Sequence, residues 1–199
     1  GLASEEELNE PIRQSVHKRL PWLIILLGLG LVVSSVVGLF EGVVAQLTIV
    51  ICFQSLILDM AGNVGTQSLA VTIRVLMDES LTGKQKLQLV FKEMRIGFCN
   101  GLLLGVLSFA VIGLFIFLFK GKTMMFAFSV SACIGIALLL AMLISSAVGT
   151  CIPLFFKKIH IDPAVASGPL ITTVNDLVAV VTFYGLSWLF LIEMLHLAG

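Results

Sequence analysis

Charge is scarce in this chain, and where it is missing is more informative than how much is missing. Only 12% of the 199 residues are Asp, Glu, Lys or Arg, against 58% hydrophobic residues. Several apolar runs reach the ~20 residues that a helix needs to cross a bilayer. That balance excludes an ordinary soluble domain and marks an integral membrane protein. The 12 basic residues are offset by 12 acidic ones, giving no net charge. No basic face stands out, so nucleic-acid binding has no support. Histidine is nearly absent, with 3 in the chain, and the 4 cysteines, Cys52, Cys99, Cys133 and Cys151, show no CxxC or Cys/His spacing. They lie in or beside apolar runs and read as small core residues rather than disulfides or zinc ligands. A signal-peptide pattern is lacking too, and the chain begins at Gly1 without Met, so a preceding part of the protein is expected.

What is present divides into two parts. Residues 1–20 are polar, open with Ser4, Glu5, Glu6 and Glu7 in capping-box spacing and close on basic residues before Pro21. They predict a short surface helix that runs into the membrane. Residues 21–199 predict an all-α domain of five transmembrane helices: residues 21–40 with Trp22 as interfacial anchor, 45 to about 69, 96–119, 124 to about 150, and 168 to about 195. The apolar run after Met124 is too long for one plain span, and Gly149 and Pro153 predict a bend or stop near Thr150. Residues 74–95 are too polar for the bilayer. With the N-terminus inside, Arg13, Lys18, Arg19, Arg74, Lys84, Lys86, Lys92, Arg95, Lys157 and Lys158 all lie on the inner side, and only Lys120 and Lys122 fall outside. The positive-inside rule therefore predicts a multi-pass protein of the cytoplasmic membrane with its C-terminus outside. Val64-Gly65-Thr66 and Val148-Gly149-Thr150 match over three residues, too few to establish a repeat.

Polarity inside the spans is the strongest functional signal. The second span carries Ser55, Asp59, Asn63 and Gln67 at successive i+4 positions, with Gly62 and Thr66 on the adjoining row. Four-residue spacing stacks these into one seam, and Gly62 and Gly65 remove bulk beside it. The fifth span places Thr172, Thr173 and Asp176 on one face with Asn175 at its edge. An ionisable group at such depth belongs in a protein interior or a water-filled path. Measured from the expected span midpoints, Asn63 and Asp176 differ in depth by about 3 Å, so the two patches can line one site. The alternatives are a packing interface of small residues glued by amides, and a buried Asp bonding its neighbours. A site of carboxylate, amide and hydroxyl oxygens without imidazole or thiolate suits Mg²⁺ or Ca²⁺ over zinc or copper. Mg²⁺ keeps several of its waters, so a sparse set of acids in a wet path fits it best. Glu41 and Glu193, at the outer ends of their spans, are either cation-steering charges or solvated boundary groups.

Asp59-Met60-Ala61-Gly62-Asn63-Val64-Gly65-Thr66-Gln67, then Gly149 and Pro153, then Asp162-Pro163-Ala164, Ser167-Gly168-Pro169 and Thr172-Thr173-x-x-Asp176 resemble the membrane domain of the MgtE family of Mg²⁺ channels. The resemblance covers residues 21–199. It implies a homodimer with a single pore on the two-fold axis, a hydrated Mg²⁺ held by Asp176 and its mate, and Gly62, Asn63, Gly65, Thr66 and Gln67 lining the same pore. It further implies cytoplasmic regulatory domains, CBS modules among them, ahead of this chain, with residues 1–20 as the amphipathic end of the cytoplasmic helix that connects them to the membrane. An axis past the fifth helix would run near Thr172 or Val180. A proton- or Na⁺-coupled transporter using Asp59 and Asp176 is the rival reading. An intramembrane enzyme would want acids clustered at the interface beside a basic phosphate-binding partner, and the spans hold isolated acids instead, so no enzymatic activity is expected.

Overall fold

The computed structural model describes residues 11–46, 48–78, 81–163 and 168–194, and the capping-box motif at Ser4 to Glu7 lies outside them. The elements are α1 (Ile12–Leu39), α2 (Glu41–Gln46), α3 (Thr48–Asp78), α4 (Gly83–Phe119), α5 (Met124–Lys158) and α6 (Gly168–Leu186), which continues as a π-helix over Ser187–Met194. Among the described residues there is no strand. Five helices are long and apolar enough to cross a membrane, and the chain is an all-α, multi-pass membrane protein.

The helices outrun the expected spans. α3, α4 and α5 have 31, 37 and 35 residues, roughly 45–55 Å at 1.5 Å per residue, against a hydrocarbon core of about 30 Å. The polar stretch 74–95 is therefore largely helix, with the ends of α3 and α4 extending past the apolar layer. A capping box opens α4. Thr82 Oγ1 accepts from the Gln85 amide at 3.4 Å, and Gln85 Oε1 accepts from the Thr82 amide at 2.8 Å.

Nor does α5 stop near Thr150. It runs through Pro153, which is buried, to Lys158. Neighbouring helices support a proline of this kind within a transmembrane bundle. α1 likewise continues through Pro21, so the polar connecting segment and the first span share one helix. Lys157, in the last turn of α5, donates to the Leu76 carbonyl near the end of α3 at 2.7 Å. A cation is favoured there by the negative end of the helix dipole.

α5 is the centre of the bundle, with α4 on one side and α3 and α6 on the other. α1 packs chiefly on α6 and has no buried residue. The α4–α5 contact is built from glycines four apart on α4. A Cβ on Gly101 would lie 2.9 Å from Leu139 Cα, and one on Gly105 would lie 2.8 Å from the Gly135 carbonyl oxygen. In lipid, helices gain little from hiding apolar surface from one another, so close backbone approach through small residues supplies the attraction.

Gly105→Ala should therefore destabilise the bundle by about 1–3 kcal/mol, the usual range for overpacking. Gly28→Ala, where nothing lies within 4 Å, should be neutral or gain up to about 1 kcal/mol of helix propensity. Thermal unfolding in detergent, followed by circular dichroism, separates the two. Equal shifts would refute the close-packing account.

Candidate functional site

The two polar patches do meet, through backbone contacts made possible by glycine. A Cβ on Gly62 would lie 3.3 Å from Thr172 Cγ2, and one on Gly65 would collide with the Asn175 amide group. Asn175 is fully buried, and its Nδ2 donates to the Ala61 carbonyl at 3.3 Å. Its side chain thus occupies the slot that the missing side chain of Gly65 leaves open. On the other side of Gly65, a Cβ on Gly149 would run into the Gly65 carbonyl. α3, α5 and α6 converge on this one residue, and the short Val-Gly-Thr match of the sequence marks the two glycines that touch.

The helix register sets the height of each polar group. A Cβ on Gly168 would lie 3.8 Å from Thr66 Cγ2, and Thr172 faces Gly62. α3 and α6 are thus antiparallel here, and one further turn brings Asp176 level with Leu58 and Asp59. The depth estimate from sequence put Asp176 within about 3 Å of Asn63, whereas this register sets the two about 7 Å apart along the helix axis.

Exposure divides the site residues into two sets. Gly62, Gly65 and Asn175 are buried, whereas Ser55, Asp59, Asn63 and Gln67 are all exposed. Thr66, Thr172, Thr173 and Asp176 are half-buried at the edge between them. The exposed row is tied along its own helix. Asn63 Nδ2 donates to Asp59 Oδ2 at 3.1 Å, and the Thr66 hydroxyl lies 3.0 Å and 2.9 Å from the Gly62 and Asn63 carbonyls. The Thr172 and Thr173 hydroxyls donate to the Pro169 carbonyl at 3.0 Å and 2.8 Å. Among the described residues no three His, Cys, Asp or Glu side chains form a metal-ligating group.

Val180 is fully buried in the core, so it cannot face a symmetry axis as its place at the span midpoint suggests. Thr172 retains exposure. Glu41 and Glu193 are both exposed. Three polar contacts escape sequence reasoning. Tyr184 donates to Gln54 Oε1 at 2.6 Å while stacking on Phe40 at 5.7 Å, which joins α1, α3 and α6. Glu93, 4% exposed, accepts from Ser68 at 3.0 Å and links α4 to α3. Thr72 donates to the Ser68 carbonyl at 2.7 Å one turn further along. Glu93 lies in the polar stretch outside the spans, where no pattern marks it as buried.

Residues 54–186 match the model of the MgtE family, described as divalent cation transporter. This chain belongs to the MgtE family. Among curated proteins, the magnesium transporter MgtE of Bacillus subtilis is 35% identical over 177 residues, 89% of this chain and 37% of that protein. That of Enterococcus faecalis is 35% identical over 193 residues, 96% of this chain and 41% of that protein. That of Thermus thermophilus is 30% identical over 173 residues, 87% and 36% of the two chains. The chain spans about two fifths of the length of these MgtE relatives.

The Gly65–Asn175 fit yields a double-mutant test. Gly65→Ala alone should lower stability by about 1–3 kcal/mol through overpacking. In an Asn175→Ala background the same change should be milder, with a coupling of about 0.5–3 kcal/mol between the two sites. Additive effects in thermal unfolding would show that the two residues do not share a slot.

Proposed function

We propose that this chain is the membrane pore domain of a homodimeric Mg²⁺ channel. The observation that carries the reading is the exposed row Ser55, Asp59, Asn63 and Gln67, twelve residues or about 18 Å of polar surface along a membrane-spanning helix. Hydrocarbon cannot satisfy these groups. A second copy of the chain together with a water-filled path can, and closed two-fold assemblies are the commonest oligomers. Pairing across an axis supplies two Asp176 carboxylates, matching the charge of one divalent ion. The family match and the relatives' names agree with Mg²⁺ as the transported ion.

The mechanism follows from the ligand set. Too few oxygens are present to replace an octahedral shell with ligands at about 2.1 Å, so the ion travels at least partly hydrated. Its waters donate to the Asp176 pair and to the amide and hydroxyl oxygens of Asn63, Gln67 and Thr172. At about 4 Å and an effective dielectric near 20, each carboxylate attracts a divalent ion by roughly 8 kcal/mol before desolvation is subtracted. Thr173, beside Asp176 on α6, and Asp59, Gly62, Gly65 and Thr66 on α3 shape the same path. Glu41 and Glu193 add negative potential at one mouth, screened at high salt. Under the positive-inside rule the basic residues at the helix ends support a cytoplasmic N-terminus, and regulatory domains would precede it.

Asp176→Asn keeps the shape of the side chain and removes its charge. Reconstituted protein should lose at least about tenfold of its Mg²⁺ flux, equivalent to about 1.4 kcal/mol of binding surplus, and remain dimeric. Asp59→Asn should lose less, because Asp59 is engaged by Asn63 on its own helix. Near-normal flux through well-folded Asp176→Asn dimers would sink the assignment. Flux that needs a proton or Na⁺ gradient would favour the coupled transporter instead.

The dimer is tested separately. With the exposed Cys52, Cys99 and Cys151 replaced by Ser, Thr172→Cys should form a disulfide between two chains in the membrane, and Val180→Cys should not. Cross-linking at neither position, with monomers by native mass spectrometry, would rule out the two-fold pore.

A further inference from the structure

Among the described residues two side-chain hydrogen bonds join α3 to α6. Asn175 Nδ2 donates to the Ala61 carbonyl at 3.3 Å, and the Tyr184 hydroxyl donates to Gln54 Oε1 at 2.6 Å. On α3, Asp59 lies between Gln54 and Ala61, and on α6, Asp176 lies between Asn175 and Tyr184. The two bonds therefore bracket both carboxylates of the proposed path.

In lipid, packing of apolar side chains draws helices together without choosing one register, whereas a hydrogen bond is directional. Nine residues separate Asn175 from Tyr184, or about two and a half turns, so on a regular helix the two side chains leave opposite sides. Both nonetheless reach α3. A rotation of α6 about its own axis that brings one toward α3 takes the other away, and the same rotation turns Asp176 toward or away from the open face. Tyr184 is itself firmly held. It is 1% exposed, its ring stacks on Phe40 of α1 at 5.7 Å, and it tilts against Phe183 at 5.5 Å. Regular α-helix ends at Leu186, where the π-helical segment begins. The Tyr184 bond thus lies in the last regular turn, from which a rotation still carries back to Asp176. Its partner Gln54 is half-buried and directly precedes Ser55 of the exposed row.

We propose that Tyr184 is a positioning residue for Mg²⁺: its hydroxyl, through Gln54, sets the rotation of α6 and with it the direction in which Asp176 presents its carboxylate. The inference rests on the proposed Mg²⁺ path and adds to it a residue that no ion touches. Interhelical hydrogen bonds in membranes contribute modestly to stability on average. Losing this one leaves the bundle folded and the carboxylate misdirected.

Mg²⁺ flux into vesicles holding the full chain, measured over a range of Mg²⁺ concentrations, tests the role. Tyr184→Phe keeps the ring and its stacking and removes the hydroxyl. It should raise the half-saturating Mg²⁺ concentration at least about threefold, within the range of one lost hydrogen bond. Gln54→Leu should give the same shift, and the double variant no more than either, because all three lack the same bond. Tyr184 is the only tyrosine of the chain, so the tyrosine bands of an ultraviolet resonance Raman spectrum report its hydroxyl alone, and Gln54→Leu should move them. A lower maximal flux in Tyr184→Phe at an unchanged half-saturating concentration, with Asp176→Asn still losing flux, would overturn the positioning role and leave the Mg²⁺ path standing. Flux unaffected by either substitution would overturn both. Additive shifts from Tyr184→Phe and Gln54→Leu, or bands unmoved by Gln54→Leu, would also overturn the role, since the hydroxyl would then act through another partner.

Discussion

A carboxylate at membrane depth finds nothing in hydrocarbon to solvate it, and this constraint organises the rest of the molecule. Soluble proteins turn such groups outward, but here outward means lipid. The chain must therefore provide a protected face for Asp59, Asn63, Gln67 and Asp176, and the helices carrying them must be placed without using those side chains as packing. Buried small residues do the placing. Gly62 and Gly65 admit α6, Gly149 brings α5 onto the same turn of α3, and the polar row stays on the free side.

The pair Asn175 and Asp176 shows the division at its smallest scale. Neighbours on a helix point about 100° apart, so one can face the bundle while the other faces away. Asn175 is fully buried and bonds the Ala61 carbonyl across the interface, and Asp176 next to it is half-buried. A neutral amide suits the buried position because it can donate to a carbonyl without bringing charge into the core. The carboxylate suits the wetter one. Exchanging the two would bury a charge and leave an amide where attraction for a cation is wanted.

Much of this was legible in sequence because hydrocarbon is a severe filter. Apolar run length located the five spans, and the i+4 spacing from Ser55 to Gln67 located the polar row. Helix ends were less legible. Pro153 looks like a stop, but a bundle can hold a proline whose lost hydrogen bond costs less than the packing it would break. The height of α6 against α3 was off because it is set by where Gly62 and Gly65 admit α6, which hydropathy does not mark. The Asn175 slot could not be read at all. Its signal is shared between Gly65 and a residue 110 positions later, and only the fold brings the two together. The glycines of α4 do carry a local signature, Gly97, Gly101 and Gly105 at four-residue spacing, and that pattern alone points to a close helix crossing.

The buried contacts also bear on what kind of ion the path can serve. A dedicated cage demands ligands held to a few tenths of an ångström, whereas here the polar groups sit on the less constrained face of two helices joined at their backs. Side chains on that open face move more freely than the packed groups behind them. A bare ion with strict coordination geometry would feel such movement directly. An ion that keeps its own octahedron of water feels it through hydrogen bonds, which tolerate it, and a diffuse pair of charges still attracts it. For the proposed channel, this construction, packed behind and loosely liganded in front, is an argument for hydrated Mg²⁺ separate from the chemistry of its oxygens.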